Sequence, residues 1–409
     1  MRFCIICIIL WAANISAFAQ SITEYQQIAA ENNPALKAEY KTYEAAMQKV
    51  TQQGSLADPT LSFGYFLSPI ETRVGPQQAT LSLTQMFPWF GTLKASKKAA
   101  AFNAESAYQR FLDAKNRLYY DVANAYYPLY ELARLKEIEQ ENLKILSTFK
   151  QIAIIKYENA EGALADVLRV KLMINKSQTD LSILAQKQKP LRIAFNKLLN
   201  RDDTIEVLVP DTIFIKSQLL EPTISKDNPL IEALDLKVKA SEEQVLLAKK
   251  QGLPKIGLGL NYVVVNERTD MVPANNGRDA IMPMLTLGLP INRKKYNAAT
   301  KEAELRKEGF ELLKESQLNQ LQAGYERTLF EQEQQAALIN LYGKQIKEIN
   351  SIVKLLLSAY SNDKAEIEEI LSLQQQLLDY RKLRISATAR LQVLLAERTY
   401  LTASNDLKE

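Results

Sequence analysis

The chain has no histidine, and its two cysteines, Cys4 and Cys7, both fall within the first twenty residues. Beyond Cys7 there is therefore no imidazole base, no thiol nucleophile, no disulfide framework and no Cys/His metal cluster. A glycine-rich phosphate loop and a nucleophile-elbow motif are missing too. These absences point away from an enzyme, from a cofactor and from a resident metal. The acidic residues that remain recur every few positions, as expected on exposed helices. With 51 Lys and Arg against 47 Asp and Glu, the net charge of +4 carries no electrostatic footprint for nucleic acid. After the N-terminus no run approaches the roughly 20 apolar residues of an inner-membrane helix.

Residues 1–19 read as a secretory signal: Arg2, an apolar run from Phe3 to Ala13, and a small-residue exit at Ala17-Phe18-Ala19. Cleavage before Gln20 removes both cysteines, leaving no thiol and no lipid-acceptor cysteine at the new N-terminus. An exported chain of this kind is soluble, surface-associated or held in a membrane by strands.

Strand signals are few and matched. Leu61, Phe63, Tyr65 and Leu67, then Leu81 and Leu83 among Thr80, Ser82 and Thr84, alternate apolar and other residues with a period of two. Pro69, Gly75 and Pro76 lie between the two runs, which predicts a β-hairpin over residues 59–87. Ile256, Leu258, Leu260, Tyr262 and Val264 alternate likewise, followed by a loop from Asn266 to Asp279 and then Leu285, Leu287 and Leu289, a second hairpin over 254–289. Asn33-Pro34-Ala35-Leu36 precedes Pro59 by the same distance as Asn228-Pro229-Leu230-Ile231 precedes Pro254. The chain thus divides into two tandem copies, 20–200 and 228–409, of about 200 residues each, joined by a linker at 201–227 with an apolar stretch read as a short strand or girdle.

The remainder is helix. Each copy predicts a short helix before its hairpin, a long helix after it and a return helix. The first long helix, from Thr92 to about Lys156, would span on the order of 97 Å, too long for a compact core. Leu118, Val122, Ala125, Leu129 and Leu132 step by four and three, the spacing of a coiled-coil seam, and Val167, Ile174, Leu181, Leu184, Leu191, Phe195 and Leu198 carry the matching stripe.

Four strands per chain cannot close a membrane barrel, and eight fill their own interior with side chains, so a usable pore needs three chains and twelve strands. The duplicated Asn-Pro-x-Leu, the Pro-x-[LI] at each strand start, the run Gln85-Met86-Phe87-Pro88-Trp89-Phe90-Gly91, and a tyrosine followed nine residues later by an acid and then [VI]-Leu together resemble the TolC-like outer-membrane efflux family, nearest its heavy-metal branch. The resemblance implies a mainly α fold with a transmembrane β-barrel part, a homotrimer with a twelve-stranded barrel in outer-membrane lipid and a periplasmic tunnel of coiled-coil helices. It also implies a periplasmic adaptor and an inner-membrane pump of the resistance-nodulation type as partners. The alternative from another class is a periplasmic coiled-coil scaffold or adaptor, which leaves the two amphipathic hairpins without a purpose.

By the same resemblance the gate and adaptor tip lie at the helix turns, with Tyr157, Gly162 and Asp166 in the first copy and Tyr360, Asp363 and Glu369 in the second. Tyr360 would hold the tunnel closed, and a ring of carboxylates from Asp166 and Glu369 would favour cations. The plainer account is that the tyrosines pack the turns and the acids answer a helix dipole. The chain departs from the family where a glycine is usual three residues after the tyrosine: Ala160 and Asp363 stand there, with Gly162 and Asn362-Asp363-Lys364 as candidate turn formers. Tyr65, Phe66, Phe87 and Trp89 are candidates for an interfacial aromatic girdle, with packing at the strand–helix junction as the other reading for Trp89 and Phe90.

Overall fold

Breakers and caps set the element boundaries. In the computed structural model, which describes residues 21–213, 228–360 and 365–404, α1 (Ile22–Asn32) starts at Ser21, whose hydroxyl accepts from the Glu24 amide at 3.3 Å. Asn33 then caps α2 (Pro34–Gly54): its Oδ1 accepts from the amides of Ala35 at 2.9 Å and Leu36 at 3.1 Å, while Pro34 fills the first helical turn, where its missing N–H costs nothing. The chain continues through β1 (Thr60–Ile70), β2 (Gln77–Phe87), α3 (Thr92–Glu158), α4 (Leu164–Leu198), α5 (Pro229–Gln251), β3 (Lys255–Val265), β4 (Ala280–Gly288), α6 (Arg293–Tyr360) and α7 (Ile367–Thr402). Pro128 and Pro190 lie inside α3 and α4 without ending either. The signal segment at 1–19 and residues 214–227 of the linker fall outside the described residues.

Two compact units form, each drawing segments from both copies. The first is built from segments within Met1–Lys37, Asp113–Asn228 and Gln320–Glu409, the second from Ala38–Leu112 and Pro229–Asn319.

The first unit is helical, with α3 paired to α4 and α6 to α7. Leu118, Val122, Leu129 and Leu132 of the expected seam are buried, as are Ile349, Val353, Ile370, Leu377, Leu391 and Leu394 in the second copy. The α4 stripe differs: Phe195 is buried, whereas Val167, Ile174, Leu181 and Leu184 are only half-covered and Ser177 and Asn196 are buried among them. The duplicated Asn-Pro acquires a physical role here. The Asn33 amide donates to the Leu198 carbonyl at 2.9 Å, and the Asn228 amide to the Leu401 carbonyl at 3.2 Å, so each copy ties the start of its short helix to the end of its return helix. The expected linker strand is not formed over 201–213. Side chains hold this segment instead: the Asn196 amide donates to Ile205 O at 2.9 Å, and the Leu208 amide donates to the Tyr25 hydroxyl at 3.1 Å. Those bonds satisfy backbone groups that a strand would otherwise have to pair.

The second unit carries the four strands in one antiparallel sheet, order β1-β2-β3-β4. The two hairpins are joined through β2 and β3, in a register that places Leu83 opposite Leu260 and Leu81 opposite Tyr262. Helices α2, α3, α5 and α6 complete the unit, cross-linked by Ser96 to Gln53 at 2.8 Å, Lys98 to Glu243 at 3.2 Å and Lys314 to Asp235 at 2.5 Å.

Candidate channel gate and barrel sheet

At the turn end of the first unit, α3 finishes in a Schellman motif. The Glu161 amide donates to Lys156 O at 2.8 Å and the Ala160 amide to Tyr157 O at 3.1 Å, with Ala160 in the left-handed region at φ 59°. The departure from glycine at this position is therefore accommodated by alanine itself. Gly162 serves differently: a Cβ there would stand 3.1 Å from Lys156 Cβ, so the chain turns closely over the end of α3.

The two helical hairpins share one core at this end. Leu146, Phe149 and Ala153 of α3 meet Val170 of α4, Ile349, Val353 and Tyr360 of α6, and Ile367, Ile370 and Leu371 of α7. The matched tyrosines are not equivalent in it. Tyr360 is buried, 7% exposed, with Lys156 Nζ 4.5 Å from its ring centroid; Tyr157 is 47% exposed. A cation over an aromatic face is attracted by the ring quadrupole, more so when both are shielded from water, and Lys156 is itself buried.

Asp166, in the first turn of α4, pairs with Arg169 at 3.2 Å, and the other terminal nitrogen of Arg169 reaches Glu368 of α7 at 3.1 Å. One guanidinium thus spans the two copies. Glu369 is exposed and outside this link, and Asp363 lies outside the described residues. Sequence reasoning named Asp166 and passed over Lys156, Arg169 and Glu368. Arg169 stands one helical turn from Asp166, a visible signal; its reach to Glu368 follows only from the packing of α4 on α7.

In the sheet, residues opposite one another share a face, which sorts the two sides. One side carries Leu61, Phe63 and Tyr65 of β1, Leu81 and Leu83 of β2, Leu258, Leu260 and Tyr262 of β3, and Ile281, Leu285 and Leu287 of β4. These apolar side chains are exposed, Phe63 by 72% and Leu285 by 67%. The other side carries Ser62, Thr80, Ser82, Thr84, Gly257, Gly259, Asn261 and Thr286, with the Ser82 hydroxyl donating to the Asn261 side-chain oxygen at 2.8 Å. Among the described residues, β1 and β4 each leave one edge unpaired. Of the aromatic candidates, Tyr65 belongs to the apolar face, Phe87 closes β2 opposite Ile256, and Phe66 is half-buried. Trp89 sits edge-on to Phe90 at 5.9 Å in the turn before α3, where Gly91 at φ 79° makes the bend and the Thr92 hydroxyl donates to Trp89 O at 2.6 Å. Among the described residues no helix is long and apolar enough to cross a membrane.

A mostly helical chain with a four-stranded amphipathic sheet is the fold of TolC-like outer-membrane channels, and solved structures of such proteins match it over nearly its full length. The outer membrane protein VceC from Vibrio cholerae aligns at 17% identity and a TM-score of 0.76, covering 93% of this chain and 95% of its own. The MtrE outer membrane channel of Neisseria gonorrhoeae, in its open state, aligns at 20% identity and TM-score 0.73, covering 93% and 88%. The CmeC outer membrane channel of Campylobacter jejuni gives 13%, 0.75, 93% and 85%. Identities this low establish the fold and do not single out one branch of these channels. No curated protein matches the sequence. Residues 26–201 match the family model of outer membrane efflux proteins.

Proposed function

We propose that three copies of this chain form the passive outer-membrane conduit of a tripartite efflux or secretion system, receiving substrate from an adaptor and a pump of the resistance-nodulation type. The observation that carries this reading is the sheet. Its apolar side is exposed over all four strands and suits lipid, its hydroxyl and glycine side suits a wet pore, and its two free edges invite strands from neighbouring copies. Twelve strands leave a lumen where eight do not. A coiled-coil scaffold gives no reason to expose Phe63 and Leu285.

The turn end of the first unit acts as the gate. Lys156 against Tyr360 and Arg169 between Asp166 and Glu368 hold the two helical hairpins of a chain together, and opening requires one hairpin to leave the other. The test is single-channel recording of the purified protein in planar bilayers. The reading expects stable channels whose small conductance rises when the gate contacts are removed; a protein that never inserts would overturn it.

A further inference from the structure

Within the second unit, α2, α3 and α5 line a groove of about 480 Å³. On α3 its residues run from Ser96 through Ala100, Asn103 and Ala107 to Arg110, steps of four and three that keep them on one helix face. Ala46 and Lys49 of α2 line it on one side and Lys237 of α5 on the other. Three cations, Lys49, Arg110 and Lys237, thus share the groove with a single carboxylate, Glu39, and among the described residues no ion pair holds any of the three. The half-buried Lys237 donates to a neutral acceptor, Asn103 Oδ1, at 2.6 Å. Burial pushes its pKa below the ordinary lysine value, and the like charge of Arg110 pushes it the same way. The other lysines that cross between helices of this unit do find carboxylates: Lys98 meets Glu243, Lys307 meets Glu242 and Lys314 meets Asp235. Fold stability gives no reason to desolvate one ammonium beside another cation, whereas a bound anion answers both.

We propose that this groove binds a small organic oxyanion, its anionic group held by Lys237 and Arg110 and its apolar body laid against Ala46, Ala100 and Ala107. A concave site of this volume, with small apolar residues along its floor and a few convergent polar groups, has the size and make-up of a small-molecule pocket. A lysine perturbed by desolvation and by one specific neighbour, inside a cleft, marks a site on physical grounds. Ammonium and guanidinium both recognise sulfonate, carboxylate and phosphate oxygens, the guanidinium through paired N–H donors. All the residues named belong to one unit of one chain, so the proposal stands apart from the channel reading.

The test is equilibrium dialysis of naphthalenesulfonate against the detergent-purified full chain, with protein-free micelles as the blank and uncharged naphthalenesulfonamide as the matched control. The parent is expected to bind about one sulfonate per chain, saturably, and at least tenfold more tightly than the sulfonamide. Lys237→Met keeps an unbranched side chain and is expected to weaken binding at least tenfold. Arg110→Gln, at an exposed position, is expected to weaken it without disturbing the core. Lys41→Met removes a cation that already pairs with Glu44 outside the groove, and is expected to bind as the parent does. Sulfonate should also raise the melting temperature of the parent and leave that of Lys237→Met unmoved. No saturable binding by the parent, equal binding of the sulfonamide, or parental affinity in both groove variants overturns the site. A failure to trimerise would count against the channel reading and leave the dialysis result separately readable.

Discussion

Lys156 Nζ lies 4.5 Å from the centre of the Tyr360 ring, joining the end of α3 in the first copy to the end of α6 in the second. Removing the ring opens a void in the core it shares with Phe149, Val353 and Ile367 and releases the ammonium. Tyr360→Ala is expected to raise single-channel conductance and to cost about 3–5 kcal/mol of local stability, the range for deleting a buried ring. Tyr360→Phe keeps the ring beneath the ammonium and is expected to stay much closer to the parent in both. Conductance unchanged in Tyr360→Ala would remove this residue from the gate.

Arg169 separates gating from stability. Its guanidinium, paired with Asp166 and Glu368, is about half open to solvent, so each pair contributes about 1 kcal/mol or less. Arg169→Ala is expected to leave the melting temperature within a few degrees while increasing the fraction of time the channel is open. The effect should shrink in the parent as salt rises and screens the pairs. A variant with parental gating at low salt would show that the bridge is incidental.

Ala160 occupies a left-handed conformation that suits glycine better. Ala160→Gly relieves that strain without touching a side-chain contact, and is expected to stabilise the turn by about 1 kcal/mol. Amide hydrogen exchange at Asn159–Glu161 should slow accordingly. Faster exchange would mean that chain entropy outweighs the relief.

A pH effect is expected from Asp113 in the first unit. Burial raises its carboxyl above the ordinary aspartate value, against the opposing hydrogen bond from Tyr400 and the nearby charge of Arg117. Because the folded-state pKa is raised, its contribution is most favourable below the unfolded value and is lost as pH rises through the folded one. Asp113→Asn keeps an acceptor for the Tyr400 hydroxyl and discards the buried charge. It should therefore melt higher than the parent at pH 7, and the gap should close toward pH 4. A gap that persists at low pH would assign the effect to packing.

The sequence reveals most of the fold because its signals are local: alternation in the strands, Asn-Pro at the two helix starts, seams along the long helices. The contacts of the proposed gate are only half legible. Tyr360 and Tyr157 occupy matching places in the two copies, yet one is buried beneath Lys156 and the other is exposed, a difference set by which hairpin packs on which. Arg169 to Glu368 depends on packing between segments roughly two hundred residues apart, which no local pattern encodes. Val207, Leu208 and Val209 suggest a short strand or a girdle; no strand forms over 201–213, where Tyr25 and Asn196 supply hydrogen-bond partners to the segment.

The central claim is that this chain closes a membrane pore only in company with two others. Its most direct test is to fractionate the membranes of an expressing Gram-negative cell and measure the mass of the extracted protein by light scattering in detergent. The account predicts outer-membrane protein of trimeric mass; a soluble periplasmic monomer would contradict it.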